Sequence, residues 1–152
     1  MHKKQLLIFS LVLSLSALVL VACGSQTAAP DASSVDLSAE TTAVPVEGGS
    51  YTDVSVGGLA FMLENKNFPL INVHIPYAGD IPDTDANIAY DQIAQNLDQL
   101  LVDKDAQIVL YCRSGSMSGI AARELVKLGY TNVWNLDGGM NAWENSGRSL
   151  VR

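Results

Sequence analysis

A cysteine followed by small polar residues is the segment of the sequence best suited to chemistry. Cys112 comes directly after an apolar run, residues 107–111, and a helix pattern begins at Ser118. Glycine and serine favour a tight loop here, and inward-pointing N–H groups at the start of a helix bind anions and favour a thiolate. The segment therefore predicts a nucleophilic cysteine on a loop of seven residues. These residues are Cys112, Arg113, Ser114, Gly115, Ser116, Met117 and Ser118.

Cys112 has a competing interpretation as a small, buried, apolar residue at the end of a strand, since free cysteine is among the most buried residue types. The charge of Arg113 and the serines around Gly115 make a poor core segment, however. We therefore favour the nucleophile. Arg113 itself has two open interpretations, a cation that attracts an anionic substrate and a solvated loop charge.

Helix and strand patterns alternate in the part of the chain that must position this loop. Short apolar runs typical of buried parallel strands lie at residues 69–73, 107–111 and 132–136. Helix patterns cover residues 55–65, 90–101, 118–128 and 138–143. Ser55 is a candidate cap for the first helix and Gly129 a candidate stop for the third, whereas Asp, Pro and Gly make residues 76–89 a loop.

This alternation predicts the architecture of the domain. Crossovers of this length suit right-handed βαβ units, so we expect a single small α/β domain with a mainly parallel sheet flanked by helices. Ligands of such sheets bind beyond the carboxyl ends of the strands. Cys112 follows the run 107–111 at that edge of the predicted sheet.

The first 22 residues have the pattern of an export signal. Lys3 and Lys4 precede 18 uncharged residues, 5–22, that are rich in Leu and Val. Leu20-Val21-Ala22-Cys23 resembles the lipobox of bacterial lipoproteins, which implies that residues 1–22 are a signal peptide and that Cys23 carries diacylglycerol. An uncleaved membrane span is the alternative, because the run reaches the lower length limit for one. We expect an exported protein, lipid-anchored at the cell membrane or envelope.

Residues 23–50 are predicted to be the lipidated cysteine and a flexible tether, and residues 51–152 the folded domain. The tether is rich in Ser, Thr, Ala, Gly and Pro and has no aromatic residue. Cleavage after residue 22 leaves 7 basic and 16 acidic residues, which changes the net charge from −7 to −9. Such acidity argues against a nucleic-acid partner, and it leaves lipid, not charge, to attach the protein to a membrane. With Cys23 acylated, Cys112 has no partner for a disulfide within the chain.

Three groups of residues share their spacing with one family. The loop keeps Cys-Arg-Ser-Gly and the final Ser118 of a motif that continues with a variable residue, Arg and Ser. Upstream, residues 70–73 and 79–82 stand where the family has Leu-Ile-Asp-Val-Arg and Gly-His-Ile-Pro. The downstream matches are Ala121-Ala122, Leu125, Leu128-Gly129-Tyr130, Asn132-Val133, Leu136, Gly138-Gly139-Met140 and Ala142-Trp143. Together these residues resemble the rhodanese homology domain, a family of single-domain sulfurtransferases, over residues 51–152.

The resemblance implies a sulfurtransferase that works through a persulfide. Cys112 would take the outer sulfur of thiosulfate or of a persulfide donor and pass it to a thiol or cyanide. Residues Arg113 to Ser118 would bind the substrate through their N–H groups, and the serine hydroxyls would add donors. The resemblance implies no cofactor, and no group of residues has the spacing of metal ligands. The sequence gives no sign of oligomerisation.

The chain departs from the family motifs at four positions around the loop. Met117 replaces a frequent Arg that would help to bind thiosulfate, Asn72 and His74 replace an Asp and an Arg, and Asp80 stands where a His is common. These departures leave the nucleophile unchanged but put the natural donor in doubt. His74 is either a structural hydrogen-bond partner or one member of a Cys–His dyad.

Two other functions remain as alternatives to a sulfurtransferase enzyme. The altered surroundings of the loop also suit a sulfur carrier or interaction module without catalysis of its own. A Cys-dependent phosphatase or arsenate reductase is a minor alternative, because such phosphatases need an Arg six residues after the Cys to bind the phosphoryl oxygens, and residue 118 is Ser.

Overall fold

Most of the described chain is organised around one largely parallel sheet. The computed structural model describes residues 35–100 and 102–152. Its strands are β1 (Thr41–Val46), β2 (Gly49–Val54), β3 (Leu70–Asn72), β4 (Ala86–Asn87), β5 (Ile108–Tyr111) and β6 (Val133–Leu136). They lie in the order β1-β2-β6-β5-β3-β4, and β1 with β2 is the antiparallel pair among these strands. The predicted α/β domain with a mainly parallel sheet is confirmed.

Three helices flank the sheet, and the residues at two of their ends explain where they begin or end. They are α1 (Val56–Leu63), α2 (Ser116–Lys127) and α3 (Gly139–Asn145). Ser55 caps α1 as predicted, since its side chain accepts a hydrogen bond from the Gly58 N–H at 3.0 Å. Helix α2 is followed by Gly129 with a φ of +89°, a left-handed conformation that glycine adopts readily and that ends the helix.

The sheet is covered on both faces, which explains why β5 is an unbroken apolar run. Ile108 and Leu110 pack on the face that carries α2 and the segment around residues 90–100. Val109 and Tyr111 pack on the opposite face against α1 and α3. All four side chains are fully buried. A strand buried on both faces has no solvent side, so it shows no alternation of polar residues.

The N-terminal edge of the domain differs from the prediction. Residues 41–46 form β1, which pairs with β2 in a hairpin that turns at Glu47 and Gly48. The prediction of a flexible tether up to residue 50 is therefore wrong for residues 41–50. Backbone pairing along the whole of β1 orders this segment together with Val44 and Val46, which pack against the core, and Pro45 is tolerated because β1 is an edge strand.

The segment predicted as a helix over residues 90–101 is also different in the structure. It forms two short 3₁₀ helices, Tyr90–Gln95 and Leu97–Gln99, separated by Asn96 with a φ of −120°. Neither has a side-chain cap. The apolar spacing that suggested a helix still buries Ile93 and Leu100 in the core beside α2.

Several predictions fall on residues that the structure does not describe. These are the signal peptide over residues 1–22, lipidation at Cys23 and the first part of the tether, residues 24–34. Within residues 35–100 and 102–152, no helix combines the length and the hydropathy of a membrane span.

Candidate active site

Cys112 lies at the carboxyl end of the central strand β5, where the parallel sheet opens. Its residue surface is 1% exposed, and it packs with the core residues on the α2 face. Its Sγ accepts a hydrogen bond from Ser118 Oγ at 3.4 Å, and the same Oγ lies 3.2 Å from the Gly115 carbonyl oxygen. The burial fits either interpretation of Cys112. A fully buried serine hydroxyl directed at the sulfur favours the nucleophile, because it can stabilise negative charge there.

Helix α2 begins two residues earlier than its sequence pattern indicated. Gly115 is the residue that precedes it, in the left-handed conformation with a φ of +86°, and no side chain caps the helix there. Ser116, Met117 and Ser118 therefore belong to its first turn, not to the loop. The N–H groups of a first turn have no carbonyl partner within the helix, and the helix dipole is positive at this end. Both favour an anion beside Cys112.

The beginning of α3 holds the loop from the other side. The Met140 N–H donates to the Cys112 carbonyl and the Asn141 N–H to the Arg113 carbonyl, each at 2.9 Å. Gly139 makes this approach possible, since a Cβ at this residue would overlap the Cys112 carbonyl oxygen. Gly139 has a φ of +56°. The loop carbonyls thus point towards α3, and the loop conformation depends on a glycine at residue 139.

The remaining side chains of the predicted site point in different directions. Ser114 and Ser116 are exposed, with their Oγ atoms 3.4 Å apart. Met117 is half-buried and packs against the core on the α2 face. Arg113 is exposed and lines a surface pocket beside α3. The structure therefore brings Ser118 to Cys112 Sγ and places the Arg113 side chain in a separate pocket.

His74 lies near the loop without the contact expected of a dyad. Its Nδ1 is buried and has no hydrogen-bond partner among the described residues. Burial, and then the positive charge of Arg113, lower the pKa of His74. The hydrogen bond to Cys112 Sγ comes instead from Ser118. In the described part of the chain, no three His, Cys, Asp or Glu side chains are grouped as metal ligands.

A hydrogen-bond network behind the loop was not predicted from the sequence. The Asn72 amide donates to Asp80 Oδ1 at 2.9 Å and the Tyr111 hydroxyl donates to the same atom at 3.1 Å. Tyr111 OH also accepts from the Ile81 N–H at 3.1 Å and lies 2.6 Å from Thr84 Oγ1. Two of the departures from the family motifs, at residues 72 and 80, thus meet in one charge-assisted hydrogen bond.

Asp80 is held in its charged form by this network. Partial burial alone would raise the pKa of Asp80, but hydrogen bonds to the carboxylate outweigh it and hold that pKa below its ordinary value. The donors are Asn72, Tyr77, Tyr111 and Asn87. Burial raises the pKa of Tyr111, so its hydroxyl keeps its proton and remains a donor.

The substitution Asp80→Asn is expected to weaken the fold more at neutral pH than in acid. Because the pKa of Asp80 is lower in the folded than in the unfolded chain, the carboxylate stabilises the fold above the unfolded value and loses this effect as the pH falls through the folded value. We expect a loss of about 1 kcal/mol in the free energy of unfolding at pH ~7 that shrinks below pH ~4. Thermal denaturation between these pH values measures it, with the exposed Asp98→Asn as control. An equal loss at every pH would contradict the role of the carboxylate charge.

Comparisons with known proteins agree with the fold. Residues 67–146, about half of the chain, match the model of the rhodanese-like domain. A sulfurtransferase of Allochromatium vinosum is 44% identical over 50 residues, which are 33% of this chain and 47% of that protein, so the match spans about half of its length. The thiosulfate sulfurtransferase GlpE of Pseudoalteromonas translucida is 28% identical over 102 residues, 62% of this chain and 90% of that protein.

A solved structure with the same fold is also described as a sulfurtransferase. The thiosulfate sulfurtransferase of Pseudomonas aeruginosa has a TM-score of 0.56 at 27% identity, over 66% of this chain and 20% of that one. A rhodanese-like domain protein of Staphylococcus aureus has a TM-score of 0.53 at 24% identity, over 66% of this chain and 98% of that one, and it shows the fold alone. With its parallel sheet, its cysteine at the carboxyl end of β5 and this family match, the chain belongs to the rhodanese-like domain family, whose relatives include sulfurtransferases.

Proposed function

We propose that the protein is a sulfurtransferase that moves sulfane sulfur through a persulfide on Cys112. The thiolate attacks the outer sulfur of thiosulfate or of a persulfide donor, the donor S–S bond breaks, and sulfite or a thiolate leaves with the electron pair. An acceptor thiolate or cyanide then attacks the terminal sulfur of the persulfide, and Cys112 leaves as the thiolate. The single observation that carries the proposal is the hydrogen bond from Ser118 Oγ to Cys112 Sγ under the start of α2.

The surroundings of Cys112 suit both charged states of the cycle. A thiolate and a persulfide are anions. The Ser118 hydroxyl, which donates to Cys112 Sγ, and the N–H groups of the first turn of α2, which have no carbonyl partner within the helix, both favour negative charge at the sulfur. Burial keeps water away from the sulfur, and no hydrolysis is needed for either step. The relatives named as sulfurtransferases support the same chemistry.

Intact-mass measurement of the full chain after exposure to thiosulfate or polysulfide tests this proposal. We expect a gain of one sulfur atom that a thiol or cyanide then removes. Cys23→Ser is the matched control, because it removes the other cysteine of the sequence and leaves Cys112 in place. A chain that takes up no sulfur from any of these donors would rule out the transferase.

A sulfur carrier without turnover is the second candidate function. The 1% exposure of Cys112 favours it, because a partner protein would be needed to uncover the sulfur. Rapid multiple turnover with small thiols would exclude the carrier, whereas one stoichiometric transfer would support it.

The phosphatase or arsenate reductase has no supporting contact, since Ser118, the residue six positions after Cys112, binds the sulfur. Hydrolysis of p-nitrophenyl phosphate without sulfur transfer would favour the phosphatase over the sulfurtransferase.

We also propose that the protein is exported and anchored by lipid on Cys23. The lipobox-like residues 20–23 and the apolar run before them support this location. The acidic chain has no cationic excess to bind anionic lipid, so the acyl chains would provide the attachment. Labelling with a radioactive fatty acid tests it, and equal incorporation by the Cys23→Ser variant would contradict it.

The substitution Met117→Arg is expected to improve the use of thiosulfate. Met117 is half-buried on the first turn of α2, so the long arginine stem can occupy its place while the guanidinium reaches solvent beside the loop. The added cation attracts an anionic donor, and we expect the KM for thiosulfate to fall about 3- to 10-fold. Steady-state kinetics measures this, with Met117→Gln as the uncharged control. An unchanged KM would show that charge at residue 117 has no part in donor binding.

A further inference from the structure

Residues 147–152 cross from α3 to the segment that follows β3, and they are named the strap below. At one end, the Trp143 indole N–H of α3 donates to the Ser149 carbonyl at 3.1 Å. At the other end, Val151 forms an antiparallel bridge with Asp80, with a hydrogen bond of 2.8 Å from the Asp80 N–H and one of 2.7 Å from the Val151 N–H. The strap therefore connects α3 to Asp80, two parts of the domain that are distant in the chain.

The two parts that the strap connects are both supports of the Cys112 loop. On the side of α3, the Met140 N–H donates to the Cys112 carbonyl at 2.9 Å. On the other side, Asp80 accepts a hydrogen bond from the Tyr111 hydroxyl at 3.1 Å, and Tyr111 directly precedes Cys112. A continuous series of contacts thus leads from Val151 through Asp80 and Tyr111 to the nucleophile.

The strap is attached mainly by its backbone. The side chains of Val151 and Arg152 are 56% and 72% exposed, and the Arg152 guanidinium makes a loose contact of 3.4 Å with Glu144. Leu150 is half-buried and packs against the cluster that contains Tyr111. Because a segment with few buried side chains opens at a low cost in free energy, the two hydrogen bonds of the bridge largely determine whether the strap is docked or released.

We propose that the strap positions Cys112 for sulfur transfer, by holding Asp80 and through it the Tyr111 hydroxyl. The inference rests on the proposed function and adds a positioning residue, Val151, which acts through other residues and not on the sulfur itself. The bridge is the element with two states, docked and released, that such coupling requires. In the released state, the end of β5 has lost one of its supports.

A small shift at the end of β5 is enough to disturb the proposed reaction. Ser118 Oγ lies 3.4 Å from Cys112 Sγ, so a shift of about 1 Å removes this hydrogen bond. Misplacement by such a distance can lower a rate about 10²-fold, and release of one support among several lowers it less.

Two substitutions at residue 151 separate the bridge from the side chain. Val151→Pro removes the N–H that donates to Asp80, whereas Val151→Ala keeps both hydrogen bonds and shortens an exposed side chain. With thiosulfate and cyanide, we expect kcat/KM to fall about tenfold in Val151→Pro and to stay close to the parent value in Val151→Ala. Equal values for the two variants would overturn the inference. A lower melting temperature of Val151→Pro with the parent's kcat/KM would also overturn it, because the bridge would then be merely structural.

A double-mutant cycle with Tyr111→Phe tests the route through Asp80. Tyr111→Phe removes the hydroxyl that donates to Asp80 and is expected to lower kcat/KM about as much as Val151→Pro does. Since the bridge and the hydroxyl act in series, Val151→Pro should lower kcat/KM little further in the Tyr111→Phe chain. A further tenfold fall would show that the bridge does not act through Tyr111 and would overturn the inference.

Alkylation separates failure of this inference from failure of the proposed function. Iodoacetamide is applied to the full chain with Cys23→Ser, in which Cys112 is the remaining thiol of the sequence. Because Cys112 is 1% exposed, release of its support should speed its alkylation about threefold or more in Val151→Pro and leave it unchanged in Val151→Ala. Equal alkylation of the two variants would overturn the inference whether or not sulfur is transferred. Absence of a persulfide in the parent chain would instead reject the proposed function, and faster alkylation of Val151→Pro would still support the role of the strap.

Discussion

Replacing Cys112 by Ser is expected to abolish sulfur transfer, with a fall in kcat/KM of at least about 10³-fold. A serine hydroxyl is protonated at neutral pH and forms no persulfide, so neither step of the proposed cycle has a nucleophile. The loss is chemical and not structural, because Ser is close to Cys in size and its hydroxyl can keep the hydrogen bond with Ser118. We expect the melting temperature to change little. Steady-state kinetics with thiosulfate and cyanide, together with a melting curve, measures both effects.

The interpretation of this variant depends on its control. Cys23→Ser removes the other cysteine of the sequence and is expected to keep the full rate, because the role we propose for Cys23 is lipid attachment and not sulfur transfer. More than a tenth of the parent activity in Cys112→Ser would contradict the covalent mechanism. Such a result would return Cys112 to its alternative interpretation as a buried residue at the end of a strand.

The sheet and the position of Cys112 at its edge could be predicted because their signals are local in the sequence. The three apolar runs are within two residues of β3, β5 and β6, and each is short. A cysteine directly after the most apolar run must lie at the carboxyl edge of the sheet. Ser118 then falls one helical turn from Gly115, which is why its hydroxyl reaches both the Gly115 carbonyl and Cys112 Sγ.

The hairpin of β1 and β2 was missed because the composition of residues 23–50 suggested a tether. Residues 41–46 are mostly small or β-branched, and residues 47–49 read Glu-Gly-Gly before a second run of strand-forming residues. This is the signal of a short hairpin, since glycine after a polar residue permits the tight turn. The absence of aromatic residues suggested a tether, but β1 gains its order from backbone hydrogen bonds to β2 and from Val44 and Val46, which pack against the core.

The network around Asp80 could not have been predicted from spacing, because it joins residues distant in the chain. Asn72, Asp80 and Tyr111 come from two strand ends and the loop between β3 and β4. In the sequence, Asn72 and Asp80 are two separate departures from the family motifs. In three dimensions, the amide at residue 72 and the carboxylate at residue 80 form a pair that keeps the two segments together. That these two departures belong together can be recognised only once the hydrogen bond between residues 72 and 80 is known.

The substitution Gly139→Ala is expected to damage both the fold and the activity. Its Cβ would overlap the Cys112 carbonyl oxygen and lie 2.9 Å from both the Arg113 carbonyl carbon and the Ser114 nitrogen. Backbone atoms cannot rotate away as a side chain does, so the loop or α3 must move. The left-handed φ of +56° adds strain for any residue with a Cβ. We expect the free energy of unfolding to fall by about 3 kcal/mol or more.

Gly147→Ala is the matched control that separates overlap from backbone strain. Gly147 also has a left-handed φ, +85°, but a Cβ there would meet nothing within 4 Å. We expect this variant to lose about 1 kcal/mol and to keep its rate of sulfur transfer. In Gly139→Ala, displacement of the loop by as little as ~1 Å should lower kcat/KM by about 10²-fold even where the protein still folds. Denaturant unfolding and thiosulfate kinetics on both variants measure the difference. Equal losses would show that strain alone matters at residue 139, and that the contact between α3 and the loop does not position Cys112.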